Sequence, residues 1–300
     1  MPPPRRLTDL AVFAAPAVFV LLWASGFIGA KLGLPYAEPM TFLTVRMVAV
    51  VLLLGGIIVV TRPAWPSRAG VLHSAIVGLL VHGAYLGGVF EAIDHKLPAG
   101  FAALVVSLQP ILTSTLANRL LGERVSVRQW SGLALGVAGV YLVVHGHTGG
   151  GAPPFAWAAA TVGLIGMTLG TLYQKRFGGG IEWRTGFFVQ YSAAAVLFGL
   201  CALGLETMQV RWTAEFALAI AWLVFGLSFG AIWLLYFLIR QHAAARVVSL
   251  FYLTPPLTAL MAWLLFDERL SPLALAGMAI CVVGVAMVNW KTAGAEPAAQ

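Results

Sequence analysis

The stretch 110–139, PILTSTLANRLLGERVSVRQWSGLALGVAG, returns at 255–284 as PPLTALMAWLLFDERLSPLALAGMAICVVG. Pro110, Thr113, Ala117, Leu120, Glu123, Arg124, Ser126, Gly132, Val137 and Gly139 recur as Pro255, Thr258, Ala262, Leu265, Glu268, Arg269, Ser271, Gly277, Val282 and Gly284, at a constant offset of 145 residues. Upstream, Gly26, Lys31, Glu38 and Thr41 recur as Gly170, Lys175, Glu182 and Thr185, at an offset of 144. One residue of slippage spans the whole chain. A long apolar unit repeated once is a mark of secondary transporters, which set a solute site between two related halves.

Composition agrees with a membrane setting. The chain is 60% hydrophobic and 10% charged, against roughly 45–50% and 25% in soluble domains. Its net charge of +7 forms no basic run or stripe, so nucleic acid is not an expected partner. Cys201 and Cys281 lie inside apolar runs and define neither a disulfide framework nor a metal spacing. Arg5 and Arg6 ahead of an apolar run resemble a secretory signal. That run has its own repeat partner around residues 161–175, so it is expected to be retained.

With about 20 residues per crossing, the chain reads as ten spans. They lie near 10–31, 39–61, 70–92, 98–118, 126–145, 154–175, 184–205, 213–238, 243–265 and 271–290. Segments of this length satisfy their backbone in lipid only as helices, so the expected class is an all-α integral membrane protein. With the N-terminus inside, 13 Lys and Arg fall on inner segments and 4 on outer ones, and Arg46 lies within a span. This bias predicts both termini in the cytoplasm. Five spans per half is an odd number, so the two halves are expected to be inverted repeats.

Trp23-Ala24-Ser25-Gly26-Phe27, Lys31-Leu32-Gly33 and Arg46 resemble the opening of the EamA family of the drug/metabolite transporter superfamily. The paired stretches Leu121-Gly122-Glu123-Arg124 and Phe266-Asp267-Glu268-Arg269, each following a proline and preceding spaced glycines, are similar to it as well. The resemblance implies a ten-helix carrier of small organic solutes in a bacterial cytoplasmic (inner) membrane, working by alternating access. It implies EamA-like five-helix repeats over 1–147 and 148–300, export as the family habit, and no cofactor or metal. Glu91 stands where the family usually has an aromatic; its repeat partner is Tyr236.

Prolines and intramembrane polar residues are the candidate machinery. Pro110 and Pro255-Pro256 each remove an i→i−4 bond mid-span, exposing carbonyls near Val106, Phe251 and Tyr252, and are expected to be hinges. Ser74, Gly78, His82 and Tyr85 share one face of the third span at helical spacing; Phe229, Trp233, Tyr236 and Arg240 form the counterpart on the eighth. Gln109, Ser249, Tyr252 and Thr254 flank the prolines. His82, Tyr85, Gln109, Trp233, Tyr236, Ser249 and Tyr252 are therefore the candidate solute-binding residues. Lys31, Glu91 and His82 are the coupling candidates, with protons as the ion. Arg46 is read as a structural anchor, and the Glu123-Arg124 and Glu268-Arg269 pairs as ending and orienting helices, with state-dependent salt bridges at most. Gly132, Gly136 and Gly139 are read as packing helix five on helix ten, in a monomer or weak homodimer.

The expected partners are a small-molecule solute and membrane lipid. The chain contains no HExxH, CxxC or phosphate-loop motif, so an intramembrane enzyme or ATP-driven pump is not expected. A channel or scramblase-like facilitator without ion coupling is the alternative; a continuous polar stripe would favour it.

Overall fold

The computed structural model describes residues 5–97, 102, 105–121, 125–145, 152–241, 244–266 and 271–289. These residues are helical apart from short connections, and the one β feature among them is an isolated bridge between Ala37 and Val210. In chain order the helical segments are α1 (Arg5–Gly33), α2 (Pro39–Thr61), α3 (Arg68–Asp94), α4 (Gln109–Leu121) and α5 (Val127–His145). They continue as α6 (Pro154–Phe177), α7 (Trp183–Leu205), α8 (Ala214–Gln241), α9 (244–266) and α10 (Pro272–Asn289). Seven stretches, in α1, α2, α3, α6, α7, α8 and α9, are long and apolar enough to cross a membrane. The pairs Glu123-Arg124 and Glu268-Arg269 lie outside the described residues, as does the expected boundary at 147/148.

Local chemistry explains the ends. Pro39 and Pro154 open α2 and α6 at the position where a missing N–H costs nothing. Ser126 and Gln129 bond each other's backbone N–H groups, at 3.3 and 2.9 Å, as a capping box at the start of α5. Thr213 caps α8 through the Phe216 N–H at 3.2 Å.

The helices pack in reciprocal pairs: α2 on α7, α5 on α10, α4 on α9, α3 on α6 and α1 on α8, α4 on α6 and α1 on α9. A Cβ at Gly132 would fall 2.7 Å from the Gly284 carbonyl oxygen, so α5 and α10 approach backbone to backbone. Outward surfaces are apolar: Leu52, Val59 and Val60 on α2 and Leu200 and Leu203 on α7 are largely exposed, as suits a lipid boundary.

Two pairs of irregularities matter for the site. α3 widens into a π-helical stretch at Gly78–Ala84 and α8 at Leu223–Ala231, starting 145 residues apart. Helical geometry is also interrupted just ahead of the prolines, by a turn at Ser107–Leu108 before Pro110 and a 3₁₀ turn at Leu250–Leu253 before Pro255.

Candidate functional site

A central chamber opens between α1, α2, α3 and α8. It is lined by Trp23, Arg46, His82, Tyr85, Leu227 and Ile232 with neighbouring apolar residues. The π-helical stretch carries His82, whose ring stacks on Tyr191 of α7 at 4.2 Å between centroids. Tyr191 donates from its hydroxyl to the Ser228 carbonyl at 3.2 Å, and Ser228 Oγ accepts from Arg46 Nε and Nη2 at 3.3 and 3.1 Å. His82, Tyr191, Ser228 and Arg46 thus form one buried polar chain across four helices. Trp23 stacks on Tyr85 at 6.0 Å and meets Phe251 edge-on at 5.0 Å, which gives the chamber an aromatic wall.

A second recess of about 730 Å³ opens beside residues 181–183. Ser74, Gln174, Gln190, Trp233, Tyr236 and Arg240 line it together with Phe187 and Phe237. Tyr236 donates to Gln190 Oε1 at 3.0 Å. Arg240 Nη2 donates to the Gly178 and Ile181 carbonyls, each at 3.0 Å, tying the end of α8 to the α6–α7 connection. Adjacent α7 residues therefore serve different compartments: Gln190 faces this recess, and Tyr191 stacks on the chamber's histidine.

At the opposite end of the bundle a third recess, of about 900 Å³, is lined by Glu38, Glu91, Asp94, His95 and Glu206. Glu206 accepts from the Met40 and Thr41 N–H groups at 2.7 and 2.6 Å, closing the first turn of α2. Glu38 answers across the same junction by accepting from the Thr207 N–H at 2.8 Å. Arg211 donates to the Pro35 carbonyl and lies over the Tyr36 ring, so the 34–41 and 206–213 segments are tied together.

Of the expected solute-binding residues, the structure brings His82 and Tyr85 into the chamber and Trp233 and Tyr236 into the second recess. Gln109, Ser249 and Tyr252 are buried elsewhere: Gln109 Nε2 donates to Thr171 Oγ1 at 3.3 Å, and the Tyr252 ring lies over Gly136. Pro110 follows the turn that precedes α4, and Pro255 and Pro256 follow the 3₁₀ turn within α9. Glu91 pairs with His95 Nδ1 at 3.2 Å in the third recess, and Lys31 is exposed near the end of α1.

Ser74 keeps the expected face, since Ser74, Gly78 and His82 lie against Gly186, Gln190 and Tyr191 of α7, but it opens to the second recess. Position along the axis supplies the reason: eight residues separate Ser74 from His82 by about 12 Å. Sequence reasoning missed Gln190, Tyr191 and Ser228, and it read Arg46 as an anchor rather than as part of the lining. Their signal was the same one used for His82: polar groups inside apolar helices.

The sequence model of the EamA-like transporter family matches this chain twice, over residues 10–145 and 155–290. The "Uncharacterized inner membrane transporter YedA" of Escherichia coli (strain K12) is 26% identical, over 93% of this chain and 91% of its own length. The "Probable amino-acid metabolite efflux pump" of the same organism is 25% identical over 91% and 94%. A solved crystal structure superposes with a TM-score of 0.75 at 20% identity, covering 92% of this chain and 95% of its own. At that identity the likeness concerns the fold alone.

Proposed function

This chain belongs to the EamA-like transporter family, and on that premise we propose that it is a secondary carrier exporting a small organic solute by alternating access. The observation that carries the reading is the double family match, one match for each half of the chain. The solute class follows by analogy from relatives named for amino-acid metabolite efflux. The membrane is a bacterial cytoplasmic membrane, which the name of the inner-membrane relative supports.

The proposed architecture is ten transmembrane helices in two inverted five-helix repeats, 1–147 and 148–300, with both termini cytoplasmic. Reciprocal helix pairing supports it. So do opposite helix senses: α1 ends beside the 34–41 segment, whereas α6 begins at that end of the bundle, where Phe155 meets His95. Solute binds among His82, Tyr85, Trp233 and Tyr236, in compartments on either side of the Gln190–Tyr191 step. Gln109, Ser249 and Tyr252 adjoin the hinges at Pro110 and Pro255-Pro256 and move with them. Protons are the proposed coupling ion, with His82, Glu91 and Lys31 the groups to test.

Proteoliposomes test the function. Uptake and efflux of labelled amino acids and organic amines are measured with and without a pH gradient. Saturable flux accelerated by solute on the far side is the expected result. Flux that rises linearly with concentration, without such acceleration, would assign a channel or scramblase-like facilitator instead.

A further inference from the structure

Arg46 lies about two turns inside α2 with only 2% of its surface exposed. Its Nε and Nη2 both donate to one neutral acceptor, Ser228 Oγ, and no carboxylate of a described residue meets it. A guanidinium carries five N–H donors, so one hydroxyl oxygen leaves most of that capacity, and the whole charge, unanswered. An unpaired charge at membrane depth is costly and is retained where it has a partner or a task.

The repeat supplies an internal control. α2 and α7 are both 23 residues long and correspond at an offset of 144 residues. That offset puts neutral Gln190 at the position of Arg46. The second copy of the helix is built with an amide there, so the helix pair itself does not require a cation. The surroundings suit a ligand with one polar end. His82 Nε2 is buried without a hydrogen-bond partner, while Trp23, Tyr85, Val89 and Leu227 make the remaining wall apolar and aromatic.

We propose that Arg46 is the anion anchor of the chamber, receiving the carboxylate of a solute whose apolar body rests against Trp23 and Tyr85. The proposal rests on the carrier reading above and names the substrate class of that same site: carboxylates. The planar fork of Arg46 matches two carboxylate oxygens at once, and Ser228 holds one edge of the guanidinium in place. An amine lacking a carboxylate would meet Arg46 across a chamber of low dielectric and be repelled.

The test uses the full chain in lipid nanodiscs and two matched sets of probes. One set is 3-phenylpropanoate, 3-phenylpropanamide and 3-phenylpropylamine; the other is phenylalanine and phenylalaninamide. Binding is read by calorimetry and by protection against heat. Loss of a charged hydrogen-bond pair predicts that 3-phenylpropanoate binds about 10- to 100-fold more tightly than 3-phenylpropanamide, with no binding of 3-phenylpropylamine or phenylalaninamide, the two cations that lack a carboxylate. Arg46→Gln should erase the acid preference and Arg46→Lys should keep part of it. If neither variant folds, the acid-to-amide ratio of the unaltered chain still decides. Equal affinity for acid and amide in that chain overturns the anchor and leaves the carrier reading standing. Binding of none of the acids also overturns the anchor. Counterflow of any other solute would then preserve the carrier reading, and its absence across the panel of amino acids and amines would end both.

Discussion

Glu206 lies one residue past the end of α7, yet it finishes a different helix. Its carboxylate accepts from the Met40 and Thr41 N–H groups and from Thr41 Oγ1, at 2.7, 2.6 and 2.7 Å. A negative group over orphan N–H donors at a helix N-terminus combines capping with a favourable dipole interaction. Glu206→Gln should therefore destabilise the protein by about 1–2 kcal/mol, read as a lower thermal midpoint. The partners of Glu38 at Thr207 are exposed, so Glu38→Gln should cost less. An equal loss for both would show that burial at this junction does not matter. At His82 the expectation concerns transport. Gln keeps hydrogen bonding but does not titrate, so His82→Gln should abolish the pH dependence of transport and retain solute-for-solute exchange. If pH dependence survives there and vanishes in Glu91→Gln, coupling belongs to the carboxylate beside His95. Survival in both variants would remove this pair from the coupling mechanism.

Between residues and the whole chain stand the helix irregularities. Prolines in α4 and α9 sit where regular helix has already been given up, next to the 107–108 turn and the 250–253 3₁₀ turn. Alanine at Pro110 or Pro255 offers back the missing N–H, allowing the i→i−4 ladder to close and stiffen the segment. Both variants should fold and transport more slowly; unchanged rates with a lower thermal midpoint would assign the prolines to packing. Glycine tests the helix contacts. In Gly132→Ala the new Cβ would collide with the Gly284 carbonyl oxygen at 2.7 Å and with Val288, and backbone has little room to give. A loss of about 1–3 kcal/mol is expected. Gly56 on α2 has nothing within 4 Å of the corresponding position, so Gly56→Ala should be neutral or stabilising by up to about 1 kcal/mol. The two variants share a chemistry and differ only in what faces the helix, which makes their difference a direct reading of the α5–α10 contact.

At the scale of the whole molecule, the question is which way the bundle sits. The distribution of Lys and Arg, 13 against 4, predicts Ser67 inside and Thr148 outside. Single cysteines at those positions, in a background with Cys201 and Cys281 replaced, should respond differently to an impermeant thiol reagent. Thr148→Cys should label in intact cells, and Ser67→Cys only after permeabilisation. The opposite pattern would invert the proposed topology. Cys281 is buried against α5 and Cys201 is half-buried, so serine at Cys201 and alanine at Cys281 are the replacements that disturb packing least.

Membrane class, helix ends and the repeat were all legible in the chain before any contact was known. Apolar segments about 20 residues long must satisfy their own backbone in lipid. Pro39, Pro154 and the Ser126–Gln129 box act on backbone within one turn of themselves. The pairing of α2 with α7 and α5 with α10 follows the sequence offset, because related segments carry related faces. The chamber was not legible in the same way. Trp23, Arg46, His82, Tyr85, Tyr191 and Ser228 come from five helices and meet only after packing. Helical periodicity assigns a residue to a face but does not say what that face meets. Nor does it say into which recess each level of the face opens: Ser74 and His82 both meet α7 yet serve different recesses. Arg46 illustrates the division most plainly. Its place in an apolar span is a fact of sequence, while the hydroxyl that meets it was decided by tertiary packing.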